Sequence, residues 1–158
     1  MKTGRILATA AFFAGAASLS AQTATQSVAF QVDAINQISL SGSPSLVINT
    51  ASAGSNPTQA SASASWAVTT NQTGAKITAS INSVMPSGLT LQVNLSAPSG
   101  GSSAGAQTLS TTAVDVVTSI TKLAQSGIAV GYSLDATPGA GVVSSTSRTV
   151  TYTITGGA

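Results

Sequence analysis

Apolar residues recur at every second position through most of this chain, which is the period of a strand with one buried and one wet face. A helix would need a period near 3.6 residues. Val28, Phe30 and Val32 share a face against Ala29, Gln31 and Asp33, and Ile38 with Leu40 and Leu46 with Ile48 mark two shorter strands. Ala62, Ala64, Trp66 and Val68 point inward while Ser63, Ser65 and Thr69 point out. The same rhythm returns in Ile77, Ala79 and Ile81, in Leu89, Leu91, Val93 and Leu95, in Ile128, Val130, Tyr132 and Leu134, and in Val150, Tyr152 and Ile154.

Turn chemistry punctuates these runs. Gly54 and Asn56-Pro57 lie in a loop over 51–60, and Asn71 to Gly74, Met85-Pro86-Ser87-Gly88 and Pro138-Gly139 separate neighbouring strands. The Gly/Ser-rich stretch 96–106 reads as an exposed loop inside one domain, since no shift of composition accompanies it. Leu109, Val114, Val116, Val117 and Ile120 break the period and fit either a strand or a short helical turn. About eight or nine short strands at 8 to 12 residue spacing predict an all-β protein, a single Ig-like antiparallel β-sandwich. No 20 to 50 residue self-similarity suggests a solenoid or propeller.

The N-terminus has the parts of a secretory signal: Lys2 and Arg5, then an apolar run from Ile6 to Ala17, then small residues. We expect a signal peptide over 1–21, with cleavage between Ser20 and Gln22, and a β-sandwich domain over 22–158. The apolar run is shorter than the roughly 20 residues a spanning helix needs, so no transmembrane span is expected in the mature chain. Export predicts an extracellular, cell-surface or periplasmic location. The whole sequence carries a formal net charge of +2, but the mature part keeps Lys76, Lys122 and Arg148 against Asp33, Asp115 and Asp135, and is neutral. Nucleic-acid binding is not expected, because phosphate neutralisation needs clustered cations.

With no His, no Cys and no Glu in the sequence, the usual nucleophilic triads, thiolate or imidazole metal sites and glutamate acid/base pairs have no residues to form them. We therefore expect no enzyme activity and no catalytic, cofactor or metal site. Ser119-Ile120-Thr121-Lys122 matches S-x-x-K, in which a lysine can activate a serine. With 48 Ser and Thr in 158 residues chance supplies such a match readily, and the companion S-D-N and K-T-G elements are absent. The three aspartates are far apart in sequence and lie in no D-x-[DN]-x-[DN]-G loop, which leaves only a calcium ion held partly by loop carbonyls open. Asn71-Gln72-Thr73 and Asn94-Leu95-Ser96 are glycosylation sequons, relevant only in a eukaryotic secretory route. Thr149, Thr151, Thr153 and Thr155 form a threonine row, but one strand is not an array, and a solvated strand face explains it.

Trp66 is a candidate ligand contact, since an exposed aromatic ring could stack on a sugar; its register with Ala64 and Val68 favours a core role instead. The more informative feature is how poorly the strand edges are guarded. Monomeric β-proteins block edge pairing with charge and proline, and this mature chain has six charged residues in all. Strand addition is then physically open, and Val28, Phe30 and Val32 form the candidate strand-exchange segment.

On the alternating segment Ser27 to Ile35, the Trp66-Ala67-Val68 strand and the final Val150 to Ile154 strand, the chain resembles exported bacterial all-β surface proteins of the pilin, spore-coat-U and WxL-domain kind. It departs from them in lacking a disulfide and paired Trp-x-Leu motifs. The resemblance implies an Ig-like fold and a structural or interaction role at a bacterial surface, with other copies of the chain or other surface proteins as partners. The alternative is a secreted module that binds glycan or cell wall, with Trp66 and the loops over 51–60 and 96–106 as its contact surface.

Overall fold

The computed structural model describes residues 20–157. The expected signal segment lies almost wholly outside the described residues. The described residues fall into two units, one ending at Val32 and one beginning at Asp33. In the first, residues 20–32 are exposed and form no strand. The strand expected around Val28, Phe30 and Val32 is therefore absent, because alternation makes a strand only where an edge accepts its backbone and a core its side chains.

The second unit is an antiparallel sandwich of nine strands, as the alternation predicts. Its strands are β1 (Asn36–Ser41), β2 (Ala60–Thr70), β3 (Ala75–Ile81), β4 (Leu89–Leu95), β5 (Ser102–Ser103), β6 (Gln107–Thr108), β7 (Val114–Ile120), β8 (Leu123–Ala136) and β9 (Val150–Thr155). One sheet has the order β1-β2-β8-β4-β6 and the other β5-β7-β3-β9. The alternating residues do what their spacing dictates: Trp66, Val68, Ile77, Ala79, Val93, Leu95 and Val130 from both sheets are buried against one another. Leu46 and Ile48, read as a strand from their spacing, instead sit in the irregular loop between β1 and β2, with Leu46 packed on the core.

The broken period at 114–120 has a physical origin. β7 is a strand that pairs with β3 through two register shifts, so that Ala75 faces Ile120, Ile77 faces Val117 and Thr78 faces Asp115. Each extra residue on β7 flips the following side chains, which is how the neighbours Val116 and Val117 are both buried. Ser119 adopts a positive φ of 61° at this irregularity. Between β2 and β8 a further shift sets Trp66 opposite Ile128 but Val68 opposite Gln125, so β8 carries one extra residue there, beside Gly127 at φ 68°. A left-handed glycine is the usual residue at such a bulge.

Candidate functional site

The four sheet edges of the sandwich are unequal. β5 and β6 are two-residue strands, whereas β1 and β9 are six residues each and read NQISLS and VTYTIT, with no charge and no proline. Short edges are poor templates for pairing, and long uncharged ones are good templates. The two long edges border the same side of the sandwich, where β1 of one sheet approaches β9 of the other.

The seam between them is closed at one end and open at the other. Near the closed end, Ile38 and Ile154 pack on the core, and Thr70 Oγ1 donates to Asn36 Oδ1 at 2.8 Å. Toward Leu40 and Val150 the seam widens into an open groove of about 1170 Å³. Leu89, Leu91 and Leu134 reach it from β4 and β8, and the loops 44–51 and 141–148 border it. Two tyrosines meet in it: the Tyr132 and Tyr152 hydroxyls lie 2.8 Å apart across the two sheets. Burial pushes the Tyr152 phenol well above the ordinary tyrosine range, and the hydrogen bond and repulsion from Tyr132 add to it. Arg148 anchors the 141–148 loop, with Nε and Nη2 donating to the Val84 carbonyl at 3.1 and 3.0 Å.

At the closed end, Asn71 fastens the chain that enters β1. Its Nδ2 donates to the Asp33 carbonyl at 2.7 Å, and its Oδ1 accepts from the Ile35 amide at 2.8 Å. The segment that precedes this fastening exposes its apolar side chains: Val28 is 76%, Phe30 93% and Val32 76% accessible. Isolated exposed apolar residues are ordinary in soluble proteins, but here three large ones lie exposed within five positions.

Trp66 is a core residue, the role its register with Ala64 and Val68 favours. It is 1% accessible, so no ring is offered for stacking on a sugar, and its Nε1 is buried with no hydrogen-bond partner among the described residues. Ser119 is exposed within β7 at its register irregularity and Lys122 is exposed on the turn joining β7 to β8, both at positive φ. Asp115 pairs with Lys76 at 3.0 Å on the sheet face, Asp135 accepts from Gln59 Nε2 at 2.8 Å, and the Asp33 carbonyl is held by Asn71. The aspartates are thus dispersed, and among the described residues no three His, Cys, Asp or Glu converge on a point that could hold a metal. Of the two sequons, Asn71 has its side-chain amide engaged on the backbone, and Asn94 Oδ1 accepts from Ser103 Oγ at 3.4 Å. The threonine row over 151–155 is the exposed face of β9 alone.

Sequence reasoning singled out the exposed segment but missed the groove. Its walls come from β1, β4, β8, β9 and the loops between strands, and only pairing across the sheets assembles them. No helix among the described residues is long and apolar enough to cross a membrane. No family model matches the sequence, and neither a curated protein nor a solved structure matches it.

Proposed function

We propose that this chain is an exported structural protein of a bacterial surface that binds other copies of itself by strand addition, with Val28, Phe30 and Val32 as the donated residues. The observation that carries the reading is their exposure, 76, 93 and 76%, in a segment that belongs to neither sheet. Burying those side chains on a partner would recover roughly 1.5 to 3 kcal/mol each. Support comes also from the two long uncharged edges β1 and β9, and from the neutral mature chain, which puts no long-range repulsion between copies. The lack of His, Cys and Glu supports a role without catalysis. A glycan-binding role is not proposed, because the aromatic residue it relied on is buried.

Size-exclusion chromatography and negative-stain microscopy test the reading on the chain starting at Ala21 and on the same chain carrying Phe30→Asp. High-mass assemblies from the first, and their loss in the second with the β-sheet circular dichroism unchanged, are expected. Monomers from both would overturn it.

A further inference from the structure

At its Leu40 and Val150 end the β1/β9 seam opens into a groove that joins an apolar wall to a single positive charge. We propose that this groove binds a long-chain fatty acid, its carboxylate held at Arg148 and its alkyl chain lying along the apolar wall. Such a site belongs to one chain and needs no second copy.

Among the described residues that line the groove Arg148 alone is charged, and no carboxylate of these residues lies within ion-pair distance of it. Its four hydrogen bonds all end on neutral oxygens: Nε and Nη2 on the Val84 carbonyl, Nη1 on Thr146 Oγ1 at 3.3 Å and on the Ser147 carbonyl at 2.9 Å. A guanidinium has five N–H groups, so one on Nη2 is left over, and the bond to the Thr146 hydroxyl is the longest of the rest. A carboxylate takes the spare N–H and displaces that hydroxyl, which gives the two-pronged contact that suits a planar guanidinium. A half-buried cation beside apolar surface is costly without a counter-charge, and a monoanion supplies one. A dianionic phosphate ester would bring a second charge with no partner on the wall.

The wall sets the rest of the ligand. Leu40, Leu46, Met85, Leu89, Leu134 and Val150 line the groove, and its volume of about 1170 Å³ exceeds the roughly 300 to 1,000 Å³ of ordinary small-molecule pockets, which suits a long flexible chain. Arg148 continues the two-residue period of Val150 and Tyr152, so the three share one face, and the four residues from Arg148 to Tyr152 cover roughly 13 Å at the strand rise. Charge therefore stands at one end and apolar surface runs inward from it. At the inner end the Tyr132 and Tyr152 hydroxyls are each other's partner at 2.8 Å, so an alkyl chain that reaches them breaks no hydrogen bond.

Isothermal titration calorimetry tests the site on the chain starting at Ala21, with dodecanoate, dodecanol and octanoate as probes below their micellar concentrations and at a pH where the carboxylates are ionised. One dodecanoate is expected per chain. Dodecanol should bind at least about tenfold more weakly for want of the charge, and octanoate at least about tenfold more weakly because it leaves part of the wall wet. No saturable binding of dodecanoate, or dodecanol bound as tightly by the unaltered protein, would overturn the proposal, and neither result depends on a variant. Arg148→Gln should abolish the preference for dodecanoate over dodecanol and Arg148→Lys should restore part of it, with the β-sheet circular dichroism unchanged in both; a preference that survives Arg148→Gln overturns the role of that charge. Phe30→Asp should leave dodecanoate binding as it was, whereas its loss would assign the fatty acid to the exposed segment and overturn the groove. Methyl resonances of Leu40, Leu134 and Val150 should shift during the titration, and shifts confined to methyl groups outside the groove would overturn it as well.

Discussion

Trp66 and Tyr152 are the two residues whose environments make the sharpest predictions. Trp66 is the sole tryptophan and is enclosed by both sheets, so its emission should be blue and resistant to acrylamide quenching; a red, readily quenched spectrum would contradict the packing. Trp66→Ala should cost about 3 to 5 kcal/mol in denaturant unfolding through the cavity it leaves. Trp66→Phe should cost clearly less, because it keeps an aromatic ring and removes the unpartnered Nε1, whose burial costs roughly 1 to 3 kcal/mol. Tyr152 sets an alkaline limit. Its folded phenol is held above the ordinary value near 10, so above that pH the unfolded chain loses this proton before the folded one does. The stability it contributes is whole below about pH 10 and is lost as pH rises toward the folded value. Tyr152→Phe should flatten the fall in thermal midpoint measured from pH 9 upward, whereas an unchanged slope would assign it to other groups.

Two glycines at positive φ separate backbone strain from crowding at the level of turns and strands. Gly127, at φ 68° in the β8 bulge, has open space where a Cβ would stand, so Gly127→Ala should cost only the left-handed penalty, roughly 1 to 2 kcal/mol. Gly88, at φ 78° in the turn before β4, would bring a Cβ to 2.6 Å from the Ala140 amide nitrogen. The backbone of one segment or the other must then move. Gly88→Ala should therefore destabilise more than Gly127→Ala in the same chemical-denaturation series, and equal losses would mean that the 138–140 turn shifts freely. These bulges and turns also mark how far local pattern reached. The clean alternation of β4 and β9 was readable because one register serves the whole strand. β7 was not, since its two shifts are defined only against β3. The Leu46 and Ile48 pair misled because two apolar residues on one face satisfy the core equally well from a loop.

For the whole molecule, the proposed self-association would meet no long-range charge repulsion. Residues 20–157 balance three cations against three aspartates, and the pair Lys76 with Asp115 is half exposed, so its strength is at most about 1 kcal/mol. Assemblies held by apolar side chains and backbone pairing should survive between about 0.01 and about 1 M sodium chloride, although the Debye length falls from ~30 to ~3 Å over that range. Static light scattering would follow this directly, and dissolution at high salt would point to ionic contacts instead.

Alternation, turn residues and composition by themselves determined that the chain builds an all-β sandwich, which side chains of its regular strands turn inward, and that no His, Cys or Glu is present to act. Each of these is a local or summed property, and period two assigns a side chain to a face without knowledge of the partner strand. Strand order was beyond its reach, because edges exist only once sheets are assembled. The tertiary structure decided that β1 and β9 are the long exposed edges, that a groove opens at one end of their seam, and that Val28, Phe30 and Val32 stay outside both sheets. The physical reason is that burial and pairing depend on residues distant in sequence meeting across two sheets, and a run of alternating residues reads the same whether or not it finds an edge.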